Sequence, residues 1–309
     1  MDELLVGLAA LLSFLFGWNN SSFLIGNLRG SGSLSFPVAV LTAIIGLLVG
    51  ALLEGSKMVG SLVGAIAPTT TVTAMAATLT VSVVLTLGLT LIDLPVSFSM
   101  IMVSAFLGAT YSLSLPLNAS HSEFVIAFWF IAPAATAVIT ATVYLSATRL
   151  VSGVGILTVD ALNRAGALVS GLAVSYTLGA NNLGLIYGST LAGQPVVFGL
   201  VLALVAFSAV GVVTLGRNAL GGNIGDKMLA LSPQGVLAAF ISSSIVVWIG
   251  TQFALPVSIS QCLLGGMLGA AYSRAVSAVN NRLVAETLAT WVVAPVIAFA
   301  AAYVVTGFA

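Results

Sequence analysis

Charged side chains make up only 5% of this 309-residue chain, against 60% hydrophobic ones. A soluble domain carries about 25% charged residues to face water, so the composition excludes one and calls for a lipid bilayer. The basic and acidic residues balance at eight each, and no net field draws in nucleic acid or another polyanion. Cysteine occurs once, Cys262 in an apolar stretch, which excludes an internal disulfide and a thiolate metal cluster. A buried structural thiol is the expectation. One histidine, His121 in a polar stretch before Phe124, and no Gly-x-Ser-x-Gly elbow leave little for an intramembrane hydrolase to work with. The reading is therefore a non-enzyme. Met1-Asp2-Glu3 lacks the basic start of a signal peptide, so the first apolar run is expected to be a retained helix.

What is abundant is long apolar sequence. Charges, prolines and Gly-Ser-Asn clusters divide it into ten segments, five in each half, because lipid forces backbone polar groups to pair within helices. They run over 4–28, 36–53, 70–92, 94–113 and 124–150, then 165–187, 195–215, 233–253, 255–271 and 283–308. The segments opening at Leu94 and Leu255 are short and begin with Leu-Pro, so each reads as a broken or re-entrant helix as readily as a full span. Lys and Arg collect on the cytoplasmic side. With both termini outside, Arg29, Arg149, Arg164, Arg217, Lys227, Arg274 and Arg282 fall inside and only Lys57 outside. The expectation is a multi-pass cell-membrane protein in that orientation.

The chain repeats itself. Gly17-x-Asn19-Asn20 returns as Gly179-x-Asn181-Asn182, 162 residues later. Gly50, Gly55, Gly60 and Gly64 return as Gly211, Gly216, Gly221 and Gly225, each 161 later. Leu94-Pro95-Val96-Ser97-x-Ser99 returns as Leu255-Pro256-Val257-Ser258-x-Ser260, and Trp129 with Ala132-Pro133 returns as Trp291 with Ala294-Pro295. Four blocks in one register mark a duplication, with units 1–152 and 153–309. Five segments per unit is an odd number, so the second unit enters the membrane from the opposite side. The expected fold is an all-α polytopic protein of two inverted-topology repeats, the architecture of secondary transporters with a midplane site.

Polar groups at membrane depth cost several kcal/mol each when unpaired, so the duplicated ones are the candidate site. Asn19, Asn20, Ser21 and Ser22 interrupt the first segment, and Asn181 and Asn182 the sixth. Gly17, Gly26, Gly179 and Gly188 flank them as candidate hinges where a helix unwinds. Helix glue is the bland alternative for any single Asn. Pro95 and Pro256 fit the first turn of a helix, whose free N–H groups and partial positive charge favour anions. Ser97, Ser99, Ser258 and Ser260 add hydroxyl donors. Two inverted copies aim two such ends at one point, an anion site without a buried cation. A plain helix whose serines bond to their own carbonyls is the alternative.

These paired blocks resemble the inorganic phosphate transporter family, whose repeats carry a Gly-Ala-Asn-Asp and a Pro-Val-Ser-Thr-Thr signature. The likeness covers nearly the whole chain. It implies phosphate as substrate, sodium or protons as coupling ions, no other cofactor, and a site at Asn19, Asn20, Ser97, Ser99, Asn181, Asn182, Ser258 and Ser260. The sequence departs from the pattern. Asn20 and Asn182 stand where the family has Asp, Phe23 and Leu185 replace a later Asn, and Met100 and Gln261 replace a His. Both carboxylates that would hold sodium or carry a proton are gone. Hydrogen phosphate has a P–OH that wants an acceptor, whereas sulfate needs donors alone. Family frequency favours phosphate, and the neutral site suits sulfate or another small oxyanion as well.

Glu54, Asp93, Glu123 and Glu286 lie near segment ends and read as interfacial carboxylates, Glu54 paired with Lys57. With His121, Glu54 and Glu286 are the candidates for any proton coupling. Trp129 and Trp291 read as interfacial anchors. The glycines at Gly46, Gly50 and Gly55 and at Gly211 and Gly216 suit close helix packing, within the chain or in a homodimer.

Overall fold

The computed structural model describes residues 2–30, 32–92, 96–191, 197–214, 231–273 and 279–308. Asp93, Leu94, Pro95, Gln194, Pro195, Arg217, Lys227, Arg274, the glycines at 216, 221 and 225, and the side chains of Ser21, Ser22 and Phe23 lie outside that description.

The regular elements among the described residues are helices. In the first half α1 spans Glu3–Gly30, α2 Phe36–Glu54, α3 Val72–Leu91, α4 Phe98–Ser112 and α5 Ala119–Leu150. In the second, α6 covers Ile156–Thr177, a π-helical segment covers Leu178–Leu183, and α7 covers Gly184–Leu191. There follow α8 at Phe198–Thr214, α9 at Pro233–Gln252, α10 at Ile259–Ser273 and α11 at Asn281–Gly307. Among the described residues, six stretches are long and apolar enough to cross a membrane: 3–29, 36–58, 72–91, 119–150, 233–252 and 281–307.

Even the helix starts are duplicated. Thr71 caps α3 by accepting from the Ala74 N–H at 3.1 Å, and its counterpart Ser232 caps α9 by accepting from Gly235 at 3.3 Å. Asn118 and Asn280 cap α5 and α11 in the same way, at 3.1 and 3.2 Å. Each cap satisfies an N–H that the helix leaves free. α6 and α11 begin earlier than the charges suggest. Asp160 pairs with Arg164 at 3.0 Å and Arg282 with Glu286 at 2.8 Å, both one turn apart and exposed, so the helices continue past the apolar boundary on their own ion pairs.

Glycines lock the halves together reciprocally. A Cβ on Gly17 would strike the Ser208 carbonyl of α8, and one on its counterpart Gly179 would strike the Leu47 carbonyl of α2. Gly50 lies as close to the Tyr176 carbonyl as Gly211 does to that of Phe14, and Gly108 meets Phe299 as Gly269 meets Ala137. Each pair becomes the other when both residues shift by the repeat offset of 161 or 162 and the halves exchange roles. That is the signature of an internal two-fold axis. Gly46, Gly50 and Gly211 are thereby used within the chain, which removes the basis for a homodimer built on them. Gly17 and Gly179 likewise provide close approach, and Gly188 packs against Val59. Gly26 is buried within α1.

α3 and α4 form a re-entrant hairpin. The start of α3 shares a crevice of about 310 Å³ with Leu4 and Thr306, and the end of α4 packs Tyr111 on Phe299 and Tyr303 of α11. Both outer ends therefore lie beside the end of α11. The tip reaches inward to Asn19, which donates to Thr90 at 3.0 Å. α9 and α10 repeat this against α5, where Tyr144, Ala238 and Ala270 cluster beside an equivalent crevice of about 240 Å³ that includes Gln234 and Leu162. The 15-residue α4 and α10 rise about 22 Å, short of a hydrocarbon core of about 30 Å. The segments at Leu94 and Leu255 thus return to the side from which their hairpins enter. A hairpin contributes no net crossing, so each half still crosses an odd number of times and the inverted topology stands.

Candidate functional site

The two hairpin tips meet on the internal axis. Ser97 precedes α4 and Ser258 precedes α10, and the Ser97 hydroxyl donates to Ser258 Oγ at 2.8 Å. Two residues that are each other's repeat counterparts touch only where the axis passes between them. α4 and α10 therefore start face to face, and their partial positive charges converge.

The serines close a ring of hydrogen bonds. Ser260 Oγ donates to the Val96 carbonyl at 3.1 Å. Its single proton is used there, so in the 3.1 Å contact between Ser258 and Ser260 it is Ser258 that donates. Ser258 Oγ also accepts from the Gln261 N–H at 3.3 Å. Ser97, Ser258 and Ser260 are 3% exposed, and their protons are spent on one another. Rotating three hydroxyls would turn the same ring into three donors aimed at one anion.

The asparagines hold these tips in place. Asn181 Nδ2 donates to Thr251 Oγ1 at 3.0 Å and to the Leu255 carbonyl at 2.9 Å, while its Oδ1 accepts from the Val257 N–H at 3.1 Å. Asn19 to Thr90 is the matching contact in the first half. Asn20 Nδ2 instead donates to the Phe16 carbonyl of its own helix at 3.0 Å. Among the buried side-chain atoms without a hydrogen-bond partner in the described residues, three belong to signature residues: Ser99 Oγ, Asn182 Oδ1 and Gln261 Oε1. Such groups are costly in a sealed interior, and these three are free to take a ligand.

Two expectations need correcting. α1 runs unbroken through Asn19 and Asn20, whereas the second copy relaxes into the π-helical segment 178–183 around Asn181 and Asn182. The amides of the first copy thus act from a continuous helix, and no unwinding accompanies them. A π turn widens the backbone locally and is common at functional sites. Trp129 and Trp291 are 4% and 5% exposed, which excludes interfacial anchoring. Trp129 Nε1 donates to the Pro256 carbonyl at 3.1 Å and so braces the second tip. Thr90 and Thr251 escaped the sequence reading although the signal was there, since each stands five residues before the proline of its block.

Two inverted repeats with hairpin tips meeting at a buried polar centre define the chain as a membrane transporter of the inverted-repeat class. The match to the phosphate transporter family covers residues 16–157 and again 154–302. The chain belongs to that family. A relative in Methanocaldococcus jannaschii named "Putative phosphate permease" is 24% identical over 95% of this chain and 93% of its own length. Inorganic phosphate transporter 2-1, chloroplastic, of Arabidopsis thaliana is 29% identical over 34% of this chain and 18% of its own. Among solved structures, a sodium-dependent phosphate transporter matches 98% of this chain and 97% of its own at a TM-score of 0.85 and 16% identity, which shows a common fold.

Proposed function

We propose that this chain carries inorganic phosphate across the membrane by alternating access, with the units 1–152 and 153–309 exchanging conformations around the serine ring. The observation that carries the reading is the ring itself. Three serine hydroxyls gather between two helix N-termini, with the unpartnered Ser99 in the first turn of α4 and no buried cation among the described residues. A tetrahedral oxyanion takes donors from several sides, and a centre on a two-fold axis supplies them in pairs. Asn182 Oδ1 and Gln261 Oε1 support phosphate over sulfate, since an unpartnered amide oxygen accepts the P–OH proton that sulfate lacks. Sulfate is the second reading, favoured by the absence of any carboxylate in either signature.

Coupling follows from the same oxygens. Among the described residues no group of three His, Cys, Asp or Glu side chains comes together. A sodium ion would rest on neutral oxygens, which hard cations accept, and the unpartnered Ser99, Asn182 and Gln261 oxygens have that chemistry. The proposed location is the cell membrane with both termini outside, on the seven-to-one distribution of basic residues.

Uptake of labelled phosphate and sulfate into proteoliposomes, with and without sodium and a pH gradient, tests this. Saturable phosphate uptake that sulfate competes with weakly is expected, and failure of both anions to accumulate would refute the oxyanion reading. Asn20→Asp restores the family carboxylate. It should steepen the sodium dependence of uptake by about tenfold in the sodium concentration needed for half-maximal rate, the effect of roughly 1.4 kcal/mol of added cation binding. Unaltered ion dependence would argue against a coupling ion at this position.

A further inference from the structure

Besides the π-helical segment at Asn181-Asn182, the internal two-fold is broken beside the site by charge. Glu54 and Lys57 bracket the turn that follows α2. Gly55 between them lies against Gly184 and Gly179, which flank the Asn181-Asn182 pair, and Met58 Sδ receives a contact from Asn181 Nδ2 at 3.6 Å. The ion pair therefore stands beside the signature residues of the second half. Lys57 Nζ donates to Glu54 Oε1 at 2.7 Å and to the side-chain oxygen of Gln252. Gln252 Nε2 in turn donates to Glu54 Oε2 at 3.2 Å, and Tyr176 hydrogen-bonds the same carboxylate. Gln252 ends α9, at the tip of the second hairpin, next to the Thr251 that holds Asn181.

None of this recurs in the other half. The repeat counterparts of Glu54, Lys57, Gln252 and Tyr176 are Leu215, Asn218, Leu91 and Phe14. Ionisable side chains beside a membrane-buried site are expensive and persist where they serve a substrate or an ion. The other half carries no charge at the equivalent sequence positions. The Lys57 side chain is 38% exposed, against 15% for Glu54, so the ammonium is the member of the pair that faces outward.

We propose that Lys57 is the residue that receives the incoming oxyanion at this mouth of the site, and that Glu54 and Gln252 hold its ammonium while the site is empty. The inference rests on the oxyanion-transport reading above. An anion arriving at Lys57 competes with Glu54 for the ammonium, and each bond it wins loosens Gln252 and with it the second hairpin tip. Recognition and opening then occur at one cluster, on one side of the membrane only.

The test measures initial phosphate uptake by the full chain in proteoliposomes, over a range of phosphate concentrations and at low and high ionic strength. Lys57→Gln should raise KM about tenfold, the scale of electrostatic recruitment to a charged mouth, with kcat within about twofold and a flatter salt dependence. Lys57→Arg should stay near the unsubstituted chain. Glu54→Gln should lower KM, because it releases the ammonium. An ion pair with only a structural role makes the opposite forecast, that Glu54→Gln and Lys57→Gln fail alike. A matched loss in those two, or an unmoved KM in Lys57→Gln, overturns the proposal.

Cys262 is buried, so Lys57→Cys offers an independent check in a single preparation. Aminoethyl methanethiosulfonate, which rebuilds a lysine-like cation, should restore the low KM from one side of the membrane, and the negatively charged sulfonatoethyl reagent should not. Equal effects of the two reagents overturn the proposal even if Lys57→Gln is poorly folded. Absence of uptake by the unsubstituted chain defeats the phosphate reading itself and this inference with it, whereas normal uptake with unaffected variants defeats this inference alone.

Discussion

Asn181→Ala should abolish uptake and destabilise the chain by roughly 2–6 kcal/mol, while Asn182→Ala abolishes uptake at a cost of about 1 kcal/mol or less. The neighbours differ in what they hold. Asn181 is fully buried and satisfies Thr251 Oγ1, the Leu255 carbonyl and the Val257 N–H together. Its removal strands two backbone groups, the Leu255 carbonyl and the Val257 N–H, at the tip of the second hairpin. Each stranded buried group costs about 1–3 kcal/mol. The tip that positions Ser258 then loses its anchor. Asn182 is as deeply placed, but its Oδ1 has no protein partner to lose, so its removal subtracts from substrate or ion binding and leaves packing intact. Thermal unfolding of purified protein, read alongside uptake, separates the two. Equal destabilisation by both substitutions would show that the side-chain network here is misjudged.

Gly50→Ala and Gly211→Ala should each prevent accumulation of monodisperse protein, and to the same degree. At both positions a Cβ would collide with a backbone carbonyl, of Tyr176 in one case and Phe14 in the other. Backbone cannot swing aside as a flexible side chain can, so a whole helix must shift. Overpacking of this kind costs about 1–3 kcal/mol and often more when the obstacle is rigid. Equality is the sharper part of the forecast, because the two contacts are related by the internal axis. Gly88→Ala, also in a helix but with nothing within 4 Å of the added atom, should be neutral or stabilising by up to about 1 kcal/mol. Size-exclusion profiles and melting midpoints of the three variants decide it. Tolerance of Gly50→Ala together with loss at Gly211→Ala would contradict the two-fold arrangement of α1, α2, α6 and α8.

The duplication was legible because its blocks are short, polar and punctuated by Gly and Pro against an apolar background. From it came the inverted topology and every member of the serine ring. The unbroken course of α1 through Asn19-Asn20 was not legible, since the same Gly-x-Asn-Asn block gives a continuous helix in one copy and a π segment in the other. In the second copy Gly55 and Met58 pack against this segment, a long-range contact that the local block does not encode. Trp129 and Trp291 differ from the sequence expectation for a related reason: a tryptophan near a segment end looks like an anchor until its burial, 4% and 5% exposed here, is known.

The sequence by itself determined that the chain lives in lipid, that it is two copies of one unit, and that uncharged amides and hydroxyls occupy both signatures. Those conclusions rest on composition and on residue order, which need no knowledge of distance. Only the tertiary structure decided that the Pro-Val-Ser segments turn back as hairpins, that Ser97 meets Ser258 across the axis, and that Glu54 and Lys57 stand beside Asn181. These are contacts between residues 70 to 200 positions apart. They exist because glycine-lined helices approach closely enough to interlock the two halves, and no local pattern in the chain encodes which carbonyl each glycine will meet.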